Sequence, residues 1–353
     1  MTGPPLLSVR GLCVAVGHGP ARGPAHGSAR GSVRGPAEVP VVQDLSLDLP
    51  PGGALGLVGE SGSGKTTTLR AILGLLPPAA RISAGEVIFD GADLTRAGTT
   101  RAGARQLRAV RGGQIGVVWQ DPLASLDPVM RAGDQIAEAV RAHAPLSRAA
   151  ARARALDLMR QVELPDVERT SRRYPHELSG GQRQRIVIAS AIAAHQRLLL
   201  ADEPTTALDV TVQDQVLTLL SRLRAELGQA LLLVTHDLAV VAQTCAQVAV
   251  MYAGRIVETG PVRAVFAAPR HHYTSGLLRA APSLDKPGVL PQGIPGTPAV
   301  AVATAGCAFA PRCPSADQLC RSVTPALAGA GGHQAACHHP VAAAAGRLEA
   351  RRD

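Results

Sequence analysis

A glycine-rich phosphate-loop motif constrains the fold of this chain more than any other feature of its sequence. The run Gly59-Glu60-Ser61-Gly62-Ser63-Gly64-Lys65-Thr66 fits the pattern G-x-x-x-x-G-K-[ST]. It begins at the end of GALGLVGE, which predicts a buried strand, and leads into TTTLRAILGLL, which predicts a helix. Glycines in such a loop let backbone N–H groups wrap phosphates, and the helix N-terminus adds a positive dipole. The motif predicts a nucleotide site in which Lys65 reaches the β- and γ-phosphates, Thr66 ligates Mg²⁺ and Thr67 lies beside them.

The composition supports a specific role for Lys65. The chain has 353 residues, with 36 Lys or Arg against 27 Asp or Glu, so its formal net charge is +9. Lys65 and Lys286 are its only lysines, so a sequence that otherwise uses arginine keeps a lysine in the loop. Aromatic residues make up only 2%. We therefore expect an aliphatic, alanine-rich core, a solvated basic surface and no base-stacking platform for nucleic acid.

Two short apolar runs, RLLLADE and ALLLVTHD, predict fully buried parallel strands. The first ends in Asp202-Glu203 and the second leads to His236. Ligands of open α/β sheets bind at the carboxyl ends of the strands. We therefore expect Asp202 to hold Mg²⁺ and Glu203 to act as general base on the attacking water, while His236 orients that water at the γ-phosphate. Taken alone, a histidine at this point is more often structural.

The order of the predicted elements indicates an α/β sheet interrupted by helices. Alternating segments 6–16 and 41–50 predict strands, and the Gly/Ala/Pro/Arg tract 17–38 between them predicts a disordered insertion. Arg/Ala-rich helical patterns occupy about 133–162. No segment approaches the ~20 apolar residues of a membrane span, and the start lacks the pattern of a secretory signal, so we expect a cytosolic chain.

A third motif gives the sequence a specific resemblance to a known family. The run Leu178-Ser179-Gly180-Gly181-Gln182, lying between the phosphate loop and ADEPTTALD, resembles the signature of ATP-binding-cassette (ABC) ATPases. Gln120 resembles their Q-loop glutamine, Leu208-Asp209 their D-loop and His236 their H-loop. This resemblance implies a RecA-like parallel sheet with a β subdomain, interrupted by a helical subdomain at about 121–194. It also implies ATP and Mg²⁺ as cofactors, with Gln120 as a further catalytic and Mg²⁺-binding residue.

The resemblance further implies a head-to-tail pair of cassettes in which each signature completes the other subunit's ATP site. The residues of this chain that would serve the partner's site are Ser179, Gly180, Gly181, Gln182 and Asp209.

Five segments together resemble the ATP-binding subunits of oligopeptide and dipeptide permeases: WQDPLASLDPV, RRYPHELSGGQRQR, HHYTSGLL, IPGTP and GCAFAPRCPSADQLC. This resemblance implies a nucleotide-binding domain over 1–264 and a C-terminal extension over 265–353. It implies an importer that also contains a paralogous ATPase, two transmembrane permeases and an external peptide-binding protein, with this chain on the cytoplasmic face of the cell membrane.

Relatives in that family also carry nickel or glutathione, which remain alternative cargoes. A soluble ABC ATPase acting on nucleic acid is the rival class. It is disfavoured because the interval between Lys65 and Ser179 is too short for a long coiled-coil insertion and because the chain has a single cassette. We expect no nucleic-acid partner.

Four cysteines, Cys307, Cys313, Cys320 and Cys337, crowd the C-terminal region. Four thiolates suit a tetrahedral Zn²⁺ or a [4Fe–4S] cluster, and a reducing compartment argues against disulfides. Their spacing leaves the metal open. The permease resemblance implies [4Fe–4S] first, with zinc second and unligated thiols third. The nearby histidines are additional zinc ligand candidates but are expected to lie in a solvated tail: His333, His338 and His339.

Overall fold

The computed structural model describes residues 3–17, 38–95, 97, 100–194, 196–206, 208–281, 292–297 and 305–341. Most of the tract predicted as a disordered insertion, residues 18–37, lies outside the described residues. No helix within the described ranges is long and apolar enough to cross a lipid bilayer.

The described strands are β1 (Leu7–Val16), β2 (Val39–Leu49), β3 (Ala54–Val58), β4 (Ala80–Phe89), β5 (Ala92–Asp93), β6 (Ile115–Val118), β7 (Leu198–Asp202), β8 (Ala230–Thr235), β9 (Gln247–Tyr252), β10 (Arg255–Pro261), β11 (Ala328–Ala330) and β12 (His333–Ala335). The helices are α1 (Lys65–Ile72), α2 (Arg101–Val110), α3 (Pro122–Ser125), α4 (Ala132–His143), α5 (Arg148–Gln161), α6 (Val167–Thr170), α7 (Gly180–Ala191), α8 (Val210–Leu227), α9 (Leu238–Thr244), α10 (Val262–Ala267), α11 (His272–Ala280) and α12 (Gln318–Ser322). Two short 3₁₀ turns cover Pro175–Glu177 and Ala310–Arg312.

The chain forms two compact units, and the first comprises Met1–Ser8, Asp48–Val58 and Phe89–Val248. Within it, β6, β7, β8 and β3 lie side by side in that order, and each neighbouring pair is parallel. Every residue of β3, β7 and β8 is buried. Strands of a parallel sheet are covered on both faces, which explains why continuous apolar runs identified β7 and β8 in the sequence. The register pairs Asp202 with Val234, so β7 and β8 end at the same edge of the sheet.

The helices between β6 and β7 pack on one another within this unit. Helix α4 contacts α5, and both contact α7. Buried residues on their facing sides include Ile136 of α4, Leu158 of α5 and Ile188 of α7. Ser147 caps α5 by accepting a hydrogen bond from the Ala150 N–H group, which satisfies one of the donors that a helix start leaves open. The expected helical runs over about 133–162 correspond to α4 and α5.

The second unit comprises Val9–Leu47, Gly59–Ile88 and Ala249–Asp353. Strands β2, β1 and β4 are neighbours in one sheet, and β9, β10, β12 and β11 are neighbours in another. Strands β9 and β10 form a hairpin with Ala253 and Gly254 between them. Strand β12 pairs antiparallel with β10, placing Ala335 opposite Glu258. The sequence pattern did not predict β11 or β12, because both are short and rich in glycine, alanine and polar residues.

An aromatic cluster lies inside the second unit. The ring centroids of Tyr252 and Tyr273 are 4.6 Å apart, and Phe309 lies 5.2 Å from Tyr252 and 5.5 Å from Tyr273. All three side chains are buried. The core is otherwise mostly aliphatic, as the composition predicts. The cluster joins β9, α11 and the segment that carries the first C-terminal cysteines.

Candidate functional site

The phosphate loop begins where β3 ends and leads into α1. The Lys65 side chain is buried, and its Nζ donates hydrogen bonds to the carbonyl oxygens of Gly59, at 2.7 Å, and Glu60, at 3.0 Å. Gly64 caps α1 with φ 104°, and a Cβ there would lie 2.8 Å from the carbonyl oxygen of Val41. Glycine satisfies both the conformation and the close approach. The remaining predicted phosphate ligands occupy the same loop and the first turn of α1: Ser61, Gly62, Ser63, Thr66 and Thr67.

The two predicted carboxylates lie at the carboxyl end of β7. Asp202 is its last residue and is buried. Glu203 follows with φ 46°, in the left-handed region, and its N–H group donates to the Val234 carbonyl oxygen at 2.8 Å. This bond ties the turn at Glu203 to β8.

The Glu203 carboxylate is the centre of a small polar cluster. Its Oε2 accepts hydrogen bonds from Gln120 Nε2, at 3.1 Å, and from the hydroxyl of Thr206, at 2.9 Å. His236 Nδ1 lies 3.2 Å from Oε1. The His236 side chain is 61% exposed, whereas Glu203 is 15% exposed. The structure thus brings together the three side chains predicted as catalytic, Gln120, Glu203 and His236.

Thr206 is a member of this cluster that sequence reasoning missed. Its position within ADEPTTALD, three residues after Glu203, was the only signal available. A hydroxyl that donates to one carboxylate oxygen leaves the other oxygen to face different partners. Thr206 therefore helps to fix the orientation of the Glu203 side chain.

The signature segment forms the N-terminus of α7. The Ser179 hydroxyl accepts from the Gln182 N–H group at 3.3 Å, and Gln182 Oε1 accepts from the Ser179 N–H group at 3.0 Å. This reciprocal capping box fixes the start of the helix. Gly181 is needed for packing, because a Cβ at that position would lie 2.7 Å from Cγ1 of Val212 in α8. Ser179 and Gly180 are both exposed.

The predicted D-loop residue Asp209 caps α8. Its carboxylate accepts a hydrogen bond from the Val212 N–H group at 2.9 Å. Val212 is also the residue that lies against Gly181, so the start of α8 packs against the start of α7. The next residue after Asp209, Val210, is 84% exposed. Both helix starts belong to the first unit.

The four C-terminal cysteines lie close together in the second unit. All four are free thiols, and Cys320 is buried. Burial raises the pKa of Cys337, and the neighbouring thiols of Cys307, Cys313 and Cys320 raise it further. The Cys307 N–H group donates to the Cys320 carbonyl oxygen at 2.7 Å. Among the described residues, the group of ligating atoms close enough together to hold a metal ion is not these four thiols but a set that shares only Cys320 with them.

This donor set overlaps the cysteine cluster at Cys320. Ligating atoms of Asp317, Cys320 and His339 lie within 4.8 Å of one another. Asp317 accepts from the Cys320 N–H group at 2.9 Å, and its other oxygen lies 2.9 Å from His339 Nε2. Hydrogen bonds from the Cys320 backbone are the main reason that the pKa of Asp317 falls to about 2.

The expectation of a solvated histidine tail is wrong for His333. This residue is buried in β12, and its Nε2 lies 2.7 Å from the carboxylate of Glu258. Glu258 is fully buried and also accepts from the N–H groups of Arg270 and His271. A buried carboxylate needs such partners. The pairing of β12 with β10 places His333 beside the Glu258 carboxylate. His338 is half-buried, and His339 is exposed.

Comparison with known proteins identifies the family. A family model described as "ABC transporter" matches residues 42–206, and one described as "Oligopeptide/dipeptide transporter, C-terminal region" matches residues 257–320. The oligopeptide transport ATP-binding protein OppD of Salmonella typhimurium is 44% identical over 305 residues, which cover 86% of this chain and 89% of OppD. This chain belongs to the ATP-binding subunits of oligopeptide/dipeptide-type ABC transporters.

Two further comparisons agree with this assignment. The dipeptide transport ATP-binding protein DppD of Escherichia coli is 43% identical over 302 residues, covering 85% of this chain and 91% of DppD. A solved dimer of the ATP-binding cassette MJ0796, bound to ADP and phosphate, matches with a TM-score of 0.59 and 25% identity over 73% of this chain and 99% of that one. The chain thus has the ABC cassette fold and is an ATP hydrolase of the ABC type.

Proposed function

We propose that this ABC ATPase binds and hydrolyses ATP to energise the import of di- and oligopeptides. The observation that carries the proposal is the Glu203 carboxylate, which Gln120, Thr206 and His236 surround. A carboxylate held in one orientation beside a histidine suits the activation of a water molecule for attack on a phosphoryl group. The peptide cargo is supported by the similarity to OppD, an oligopeptide transport ATP-binding protein, and to DppD, a dipeptide transport ATP-binding protein.

Each predicted site residue receives a role in this proposal. Lys65 neutralises charge on the β- and γ-phosphates, and the N–H groups of residues 59–67 bind phosphate oxygens. Thr66, Gln120 and Asp202 hold Mg²⁺, which supplies charge neutralisation when bound. Glu203 takes a proton from the attacking water, and His236 orients that water at the γ-phosphate.

We propose that the chain works as one half of a head-to-tail pair of cassettes, with a paralogous ATPase as the partner. The exposed starts of α7 and α8 support this arrangement, because Ser179, Gly180 and Val210 present backbone and apolar surface to solvent. The residues that would then complete the partner's ATP site are Ser179, Gly180, Gly181, Gln182 and Asp209. Two transmembrane permeases and an external peptide-binding protein would complete the importer, which places this chain at the cytoplasmic face of the membrane.

We propose that residues 1–264 form the nucleotide-binding domain and 265–353 a cysteine-bearing C-terminal extension. We propose that Cys307, Cys313, Cys320 and Cys337 hold a [4Fe–4S] cluster, as the resemblance to peptide-permease ATPases implies. The cluster would be structural because so small an extension buries little apolar surface. Zinc is the second choice. It is supported by the ligating atoms of Asp317, Cys320 and His339, which lie within 4.8 Å of one another. Carboxylate, thiolate and imidazole are all ordinary zinc ligands.

Uptake by the source organism tests the cargo. A strain lacking this gene, complemented with the native gene, is compared with one complemented with Lys65→Ala. We expect Lys65→Ala to abolish uptake of labelled di- and oligopeptides, and Lys286→Ala, which alters the only other lysine, to support native uptake. Loss of nickel or glutathione uptake with peptide uptake intact would contradict the peptide proposal.

A further inference from the structure

An arginine of the C-terminal extension forms an ion pair with a residue of the phosphate loop. Arg312 Nη1 lies 2.6 Å from Glu60 Oε2, and Nη2 lies 3.1 Å from Oε1, so the guanidinium and the carboxylate form a two-pronged ion pair. The Arg312 side chain is only 5% exposed and that of Glu60 is 24% exposed. A shielded pair with this geometry is much stronger than an ordinary surface ion pair. Arg312 directly precedes Cys313.

The extension also fixes the orientation of Arg312. Its Nε donates to the Pro295 carbonyl oxygen at 2.8 Å, and its Nη2 donates to that of Ile294 at 3.2 Å. The guanidinium carbon lies 5.9 Å from the ring centroids of both Tyr252 and Phe309. The segment IPG, part of the permease-like IPGTP, therefore serves to hold this arginine.

Glu60 is held at its backbone as well as at its side chain. Its N–H group donates to the Tyr273 hydroxyl at 2.8 Å, and Tyr273 belongs to α11 of the permease-like segment HHYTSGLL. The carbonyl oxygen of Glu60 in turn accepts from Lys65 Nζ at 3.0 Å. Two permease-like segments thus contact Glu60 through Tyr273 and Arg312, and a third holds Arg312 in place. Glu60 is also one of the loop residues that accept a hydrogen bond from the phosphate-binding lysine.

The phosphate-loop pattern places no requirement on the residue at position 60, yet this chain has a carboxylate there. An uncompensated negative charge in a loop that binds phosphates opposes binding through like-charge repulsion. The buried guanidinium of Arg312 cancels that charge. We infer that Arg312 is a positioning and charge-compensating residue through which the C-terminal extension sets the affinity of the phosphate loop for ATP.

This inference rests on the proposed binding of ATP at the phosphate loop. Its consequence is a coupling between the cysteine-bearing extension and nucleotide binding, and such a coupling acts in both directions. Disturbing the extension around Arg312 weakens ATP binding, and ATP in turn stabilises the segment that carries Arg312.

Titration with a fluorescent ATP analogue tests the inference on the purified full-length chain. We expect Arg312→Gln to raise the dissociation constant about tenfold, as loss of a shielded charged partner does. The defect shrinks in high salt, which screens the repulsion. Arg321→Gln, which removes an exposed arginine from α12 of the same extension, serves as the matched control and binds as the native chain does.

A double variant separates charge compensation from simple damage to the fold. Glu60→Gln removes the carboxylate, so Arg312→Gln combined with Glu60→Gln recovers most of the lost affinity, whereas an unfolded extension would stay defective. Native affinity in Arg312→Gln, or a double variant as weak as Arg312→Gln alone, would overturn the inference. If the native chain itself fails to bind the analogue, or Lys65→Ala binds it equally well, the failure belongs to the proposed function instead.

Hydrogen–deuterium exchange gives the reciprocal readout. Saturating ATP slows exchange over residues 305–341 in the native chain, and the slowing is lost in Arg312→Gln. Equal protection of this segment in both proteins would refute the coupling.

Discussion

The conformation of Glu203 depends on the residues that surround it. Its backbone adopts φ 46°, a conformation that costs a residue other than glycine about 1–2 kcal/mol. The bond from its N–H group to Val234 and the three side chains around its carboxylate hold it there. The apolar run that ends in Asp202-Glu203 was enough to predict the position of this carboxylate. The run did not predict the turn at Glu203 that orients the carboxylate.

Thr206 offers a test of how tightly the carboxylate must be held. Thr206→Val keeps the shape of the side chain but removes the hydroxyl that donates to Glu203. We expect kcat for ATP hydrolysis to fall roughly fivefold, since a hydrogen bond of this kind contributes about 1 kcal/mol. The dissociation constant for ATP should not change. Thr206→Ser, which keeps the hydroxyl, should restore turnover, and a fully active Thr206→Val would show that the bond is dispensable.

His271 makes the stability of the second unit sensitive to acid. Its Nδ1 accepts from the Tyr273 N–H group at the start of α11, which requires an unprotonated nitrogen. Burial, with a smaller contribution from His272, lowers its pKa to about 3. The unfolded chain takes up a proton near pH 6.5 and the folded chain does not, so the stabilisation is complete above about pH 6.5 and is lost as the pH falls toward 3.

This residue alone should reduce the free energy of unfolding by about 1.4 kcal/mol per pH unit below pH 6. His271→Asn keeps a side-chain acceptor without the titration, so we expect urea unfolding of that variant to show a shallower loss between pH 7.5 and 5. His143→Asn, at an exposed histidine, should behave like the native chain. An unchanged slope in His271→Asn would contradict the assignment.

At the level of secondary structure, sequence patterns predicted the strands and helices that surround the site but missed β11 and β12 of the C-terminal extension. Continuous apolar runs identified β7 and β8 because burial on both faces of a parallel sheet demands them. Strand β12 has no such pattern, and it pairs with β10 because His333 meets the buried Glu258. The ion pair between Arg312 and Glu60 could not be predicted either, because the two residues are 252 positions apart and no local sequence pattern encodes the contact.

The cysteine cluster is the element whose chemistry can be tested directly. We expect anaerobically purified protein to contain about four iron atoms and four acid-labile sulfides per chain, with a visible absorption that bleaches on reduction. Cys320→Ser should lose the iron and lower the unfolding temperature, because metal binding supplies folding energy. Cys245→Ser changes a cysteine outside the cluster and is the control. Stoichiometric zinc without sulfide would favour the Asp317, Cys320 and His339 set.

For the whole molecule, the central structural expectation is that ATP sites form between two cassettes. Ser179→Arg puts a bulky side chain at the start of α7, where the partner's γ-phosphate is expected. With the paralogous subunit present, we expect photoaffinity labelling by an azido-ATP analogue to be lost on the partner and retained on this chain. Ser147→Arg also removes a serine helix cap and controls for the loss of capping. Loss of labelling on this chain alone would contradict the head-to-tail arrangement.

Steady-state phosphate release by Glu203→Gln tests whether the Glu203 carboxylate is the general base of ATP hydrolysis. We expect turnover to fall at least about a hundredfold, since proton transfer by a positioned base contributes on that order. Binding of a fluorescent ATP analogue should stay near the native level, and size-exclusion chromatography with ATP should show a trapped cassette dimer. Glu226→Gln, at an exposed carboxylate of α8, should release phosphate at the native rate. Near-native turnover by Glu203→Gln would show that Glu203 is not the general base.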